Sequence, residues 1–141
     1  MIVGFNFTKI SVEKKKPVEG KIKINHDLKI ERVEQKPLPL KDKKNCLVFD
    51  FMFSVHYLPG VGEISFNGNV LYLEDQKKID NILSQWGKDK RVPPDVSVEV
   101  VNAIFAKCNV RALELAQELS LPSHLPMPQI TLKEDPSSYI G

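Results

Sequence analysis

Enzymatic chemistry needs reactive side chains at matched spacings, and few stand close together in this sequence. The three histidines, His26, His56 and His124, lie far apart in the chain. None pairs with a second histidine at the i, i+4 spacing that holds a metal from one helix face. Cys46 and Cys108 are separated by sixty-one residues and form no paired-cysteine zinc spacing. A chain of this size does not require a disulfide, and both cysteines read as small buried apolar groups. Gly60-Val61-Gly62 lacks the remainder of a dinucleotide fingerprint and connects two strands instead of opening a helix. Asp50 is an acid inside a strand, but one carboxylate without a partner does not make an acid–base pair. Pairing with a neighbouring lysine is its expected fate. His26 falls on the apolar face of its strand and reads as a core or edge histidine; His56 lies at a strand end and His124 in the proline-rich segment, positions open to exposure or burial. No catalytic residue, metal site or cofactor follows from these residues, and a non-enzymatic protein is expected.

Aromatic side chains supply the other chemistry, stacking. Phe49, Phe51 and Phe53 recur at every second position, the spacing at which a sheet can present rings to bases. The flanking basic-glycine element of such a sheet is absent, and the row continues into Leu47 and Val55, so a buried core face is the preferred reading. Trp86, on the apolar side of a short helix, is likewise assigned to the core.

The elements that position these residues are legible from periodicity. The segment 2–12 alternates with Val3, Phe5 and Phe7 on one face, then changes phase to Ile10 and Val12, which predicts a bulge near Thr8. Residues 21–31 alternate strictly, Ile22, Ile24, His26, Leu28 and Ile30 against lysines and acids. The segment 35–45, with Pro37 and Pro39, reads as a connection. Residues 46–57 and 64–72 form a hairpin in which odd positions must meet even ones. A four-residue loop, Leu58 to Val61, then pairs Val55 with Ile64, Phe53 with Phe66 and Phe51 with Gly68. After Leu73 the period becomes helical. Asp75 is the candidate N-cap of a short helix carrying Ile79, Ile82, Leu83 and Trp86, with Gly87 as its stop. Pro94 and Asp95 open a long helix running to about Leu119. Its main stripe comprises Val101, Ile104, Phe105, Cys108, Ala112, Leu115, Ala116 and Leu119. Val96, Val100, Ala103 and Val110 form a second stripe, which suits either a subunit interface or a helix sunk more deeply than usual. The prolines at 122, 126 and 128 end helical structure, and residues 133–141 read as a flexible tail.

The expected fold is therefore α+β: a four-stranded antiparallel sheet, then a short and a long helix packed on one face. Residues 1–132 are expected to form a single domain. The chain has 141 residues, 42% of them hydrophobic, enough for one core. Twenty basic against eighteen acidic residues leave a formal charge of +2, too small an excess for a dedicated nucleic-acid binder. No apolar run approaches the roughly 18 residues that span a bilayer, and the N-terminus lacks a signal-peptide pattern, so a cytoplasmic protein without membrane insertion is expected.

The order and length of elements, from about Ile2 to Leu132, resemble the SecB family of export chaperones. The aromatic strands 47–57 and 64–72, the proline-led helix from Pro93, and Leu125-Pro126-Met127-Pro128-Gln129-Ile130-Thr131-Leu132 carry the resemblance. Lys107 to Ala116 together with the Pro-Met-Pro segment is also similar to small archaeal SecB-like proteins. The resemblance implies a homotetramer, a dimer of dimers, acting as a holdase that binds unfolded or extended polypeptides in apolar surface grooves. By position it implies peptide contacts from Val48, Phe51, Met52, Phe53, Leu121, Leu125 and Met127. The family's export members, which serve protein transport, dock a translocation motor through an acidic surface; the slight basic excess here argues against motor docking and leaves a general chaperone or another use of the same scaffold. The alternative reading is a nucleic-acid-binding or adaptor module using Lys14, Lys15, Lys16, Lys21 and Lys23.

Overall fold

In a computed structural model, which describes residues 1–37 and 45–126, four strands precede two helices. The strands are β1 (Ile2–Lys14), β2 (Lys23–Lys36), β3 (Asn45–Leu58) and β4 (Gly62–Glu74). The helices are α1 (Gln76–Asp89) and α2 (Pro94–Glu118). All strand pairs are antiparallel, in the order β1-β4-β3-β2, so β1 and β2 are the two edges. The connection between them must cross one whole end of the sheet. It is seated on the β3–β4 hairpin, where the Val61 carbonyl accepts from the amides of Lys15 and Lys16 at 2.7 and 3.4 Å.

The hairpin register agrees with the parity argument: Val55 faces Ile64, Phe53 faces Phe66 and Phe51 faces Gly68. Both helices lie on the face made by the odd positions of β3 and the even positions of β4, where Leu47, Phe49, Phe53, Val55, Tyr57, Ile64, Phe66 and Val70 are fully buried. α1 covers β2 and β3, and α2 covers β4 and β1. The opposite face is largely polar.

Bulges explain where periodicity misled. A register shift between Phe7 and Lys9 lies at the expected place near Thr8. A second, between Ile2 and Gly4, takes Val3 out of the row it shares with Phe5 and Phe7 in the sequence, and Val3 is exposed. A third, between Ile30 and Arg32, reverses the parity of β2, so that Val33 instead of an even residue turns to the core. Strand β2 therefore continues to Lys36, five residues beyond its apparent end, and the connection begins later than its polar composition suggests.

The helix ends also differ from expectation. Asp75 does occupy the N-cap of α1, though its side chain makes no capping bond. Gly87 does not stop α1. A mid-helix glycine costs about 1 kcal/mol, less than abandoning the last turn. The stop falls at Lys90, which takes left-handed backbone (φ 57°) and donates its amide to the Trp86 carbonyl at 3.0 Å. Trp86 is half-buried, with the Lys90 ammonium 5.3 Å from its ring centroid.

In α2 the buried line draws on both stripes of the sequence, taking Val96 and Val100 from the second and leaving Val110 outside. Val96, Val100, Ile104, Cys108, Ala112 and Ala116 are all buried, and they are spaced by four. Four residues turn a helix about 40° past a full revolution, so the buried line winds round α2 as the helix crosses the twisted sheet. Its start buries Val96 and Val100, and its end buries Ala112 and Ala116.

Candidate functional site

The structure separates the side chains that sequence placed together as a peptide-contact set. Phe51 (1% exposed) and Phe53 (0%) are core beneath the helices. Val48 (3%) is buried on the opposite face of the sheet, outside the main core cluster, and half-buried Met52 shares that face between Lys29 and Asn67. Leu121 is buried and Leu125 half-buried in the segment after α2; Met127 lies outside the described residues, as do the 132 domain limit and the 133–141 tail. Of the residues assigned to an interface, Val96 and Val100 are enclosed by the chain's own core and cannot reach a second copy. Ala103 is half-buried, and Val110 is 58% exposed.

Val110 instead belongs to a surface that periodicity did not reveal. On edge strand β1, Ile2, Phe5, Phe7, Ile10 and Val12 stand opposite Tyr72, Val70, Gly68, Phe66 and Ile64, and so face the helical layer. They extend the core to an edge that α2 covers only in part, leaving Ile10 exposed and the others half-buried. Phe5 and Phe7 meet edge to face, ring centroids 5.0 Å apart, and rest on Phe51 and Phe66 at 5.3 Å each. A groove runs along these rings, walled on the helix side by Ala106, Lys107 and Val110 and continuing past Ile2 and Val3. An Arg111–Glu114 ion pair, 2.9 Å, sits on its rim. β1 pairs with β4 alone among the described residues, so alternate amides and carbonyls along its outer edge lack a strand partner. An apolar aromatic floor beside an open ladder suits an extended chain: main-chain bonds give affinity without regard to sequence, and alternate side chains meet the rings. The phase shift at Thr8 was the available signal. What sequence withheld was that this strand lies at an edge.

Charge is distributed differently from a nucleic-acid surface. On the exposed sheet face Arg32 stands opposite Asp50, while Glu13 and Glu63 are also neighbours. His56 lies 3.7 Å from Glu63. Asp50 makes no ion pair among the described residues, contrary to the expected lysine partner. Lys14, Lys15, Lys16, Lys21 and Lys23 are exposed at the crossover end with Glu13 and Glu19 among them. No broad single-sign face results among the described residues. Between the helices, Lys78 reaches Asp95 at 2.9 Å. That hydrogen bond raises the ammonium's pKa and lowers the carboxyl's.

Burial suppresses the reactivity of both thiols. It pushes Cys46 up, and pushes Cys108 to about 12, so the nucleophilic thiolate is scarce at neutral pH. A chromogenic disulfide reagent is expected to label the native protein only as fast as it unfolds, and to find both thiols at once in urea. Rapid native labelling of Cys108 would show that the α2 core is open to solvent. Among the described residues there is no group of three or more potential metal ligands, and no helix there is long and apolar enough to cross a membrane.

No protein-family profile matches the chain, and no curated protein matches it significantly. Among solved structures, it is similar to a SecB-like chaperone of Mycobacterium tuberculosis determined in complex with a ChAD peptide from the HigA1 antitoxin. The two share 12% identity with a TM-score of 0.49, over 92% of this chain and 90% of that one.

Proposed function

We propose that this chain is a SecB-like holdase: a cytoplasmic homotetramer, assembled as a dimer of dimers, that keeps extended segments of unfolded polypeptide from aggregating. The observation that carries the proposal is the half-open aromatic row of β1 beside the exposed Val110 wall of α2. Such a groove rewards apolar side chains of many shapes and demands little of their order, which is what a client-tolerant binder needs.

Light scattering gives the mass of the particle, and turbidity of a denatured client diluted into the same sample gives its protective effect. A tetramer that suppresses aggregation supports the reading; a monomer without effect removes it. Val110→Asp is the informative variant, because an exposed position leaves stability within about 0.5 kcal/mol while placing a charge on the groove wall. It is expected to lower protection at least threefold with an unchanged urea midpoint. Undiminished protection would take the groove out of the mechanism.

A further inference from the structure

We infer that the segment 121–125 is a strap over the β2 side of the core that His124 holds closed at neutral pH and that acid releases. Ser120, in left-handed backbone (φ 54°), ends α2 by reversing the chain: its amide reaches the Gln117 carbonyl at 3.2 Å and that of Leu121 the Ala116 carbonyl at 2.8 Å. The reversal sends Leu121 into the core, 6% exposed, and lays the following residues back across β3. There the Tyr57 hydroxyl donates to the Pro122 carbonyl at 2.7 Å. Ser123 Oγ closes a local turn with Leu125, 2.6 Å to its carbonyl and 3.2 Å to its amide.

His124 is the one polar side chain that the strap buries, at 8% exposure. Its Nε2 lies 2.8 Å from Asn109 Oδ1 on α2, which places the ring proton on Nε2. Nδ1 is buried and has no hydrogen-bond partner among the described residues. The ring packs edge-on to Phe53 of β3 (6.3 Å between centroids) and to His26 of β2 (6.2 Å). The groups that face it are therefore an amide on α2, an aromatic ring on β3 and a second imidazole on β2, with no carboxylate pairing with it among the described residues.

A second proton must go to Nδ1, where it would be a buried cation without an acceptor among the described residues, beside the imidazole of His26. Both effects act in one direction: desolvation first, then His26, lower the pKa of His124 below its usual value. The open strap exposes the ring to water and restores an ordinary pKa of about 6.5. The closed form is thus fully favoured above that value and loses ground as pH falls below it, towards the lowered value of the closed state. Opening uncovers Phe53 and the seat of Leu121, an apolar surface between α2 and β2 separate from the β1 groove. The device stands whether or not the chain is a holdase.

Hydrogen exchange of a peptide covering 119–126, corrected for intrinsic rates, tests it at pH 7.5 and pH 5. Wild type is expected to lose at least fivefold protection in acid, while His124→Phe, aromatic and unable to titrate, keeps a flat profile. His56→Phe, on the far face, should retain the wild-type response. Equal profiles for wild type and His124→Phe, or no acid response in wild type, overturn the inference. Should the phenylalanine variant not fold, an NMR titration of wild type decides: the His124 ring and the strap amides must share one midpoint, and divergent midpoints are disproof.

Discussion

Phe53→Ala is expected to destabilise the chain by about 3–5 kcal/mol, the loss that follows when a fully enclosed aromatic ring leaves a cavity. Phe53 is 0% exposed and lies nearly parallel to Phe66, centroids 5.9 Å apart and planes 12° apart. Phe105 of α2 and His124 of the strap meet it edge-on at 6.5 and 6.3 Å. One truncation therefore removes contacts to the sheet, the long helix and the strap together. In a urea titration the midpoint should fall by more than about 1 M, since chains of this size lose about 1–3 kcal/mol per molar urea. The same variant separates the two roles open to this residue. A core ring loses stability; a client-contacting ring loses aggregation suppression while the urea midpoint stays where it was. The second pattern would move the peptide site back to β3.

Gly68→Ala and Gly87→Ala make the same chemical change with opposite expected signs. A methyl at Gly68 would collide with the Asn6 carbonyl oxygen on β1 and approach Phe51 Cζ to 2.7 Å. The carbonyl is backbone paired in the ladder, and Phe51 is enclosed, 1% exposed and packed on Phe5, so neither can retreat cheaply. A cost of about 3 kcal/mol is expected, at the upper end of overpacking. At Gly87, inside α1, nothing lies within 4 Å of the added carbon. There alanine should stabilise by up to about 1 kcal/mol through helix propensity. Thermal melts of both variants suffice; a neutral Gly68→Ala would mean that β1 does not lie against β4 in this register.

Alternation along a strand tells which face a residue takes, and that argument succeeded except where the bulges at Val3 and after Ile30 changed the parity. It aligned Phe53 with Phe66 and Phe51 with Gly68, and located the break at Thr8. It does not tell which strands are central. Phe51 and Phe53 on β3 are flanked on both sides and vanish into the core, while Phe5 and Phe7, of the same type and spacing, lie on an edge and stay half-open. The candidate contact rings Phe51 and Phe53 are therefore enclosed, and the half-open rings of the same spacing lie on β1. A similar gap concerns α2: Val96 and Val100 fall off the stripe of an ideal straight helix lying on a flat layer, and only the twist of the sheet beneath brings them inside. The bulge after Ile30 concealed the second half of β2, because a single inserted residue makes a continuing strand look like the end of one.

The strand order has a consequence for how the protein is made. β2, β3 and β4 succeed one another in both chain and sheet, so they can assemble while still close to the point of synthesis, but Ile2 must wait for Tyr72. A ribosome thus releases two phenylalanines and a bare backbone edge more than sixty residues before their mate exists. For that interval the N-terminus is itself the kind of sticky, extended segment that other chains must be protected from, and closing so long a loop is the slow kind of folding event.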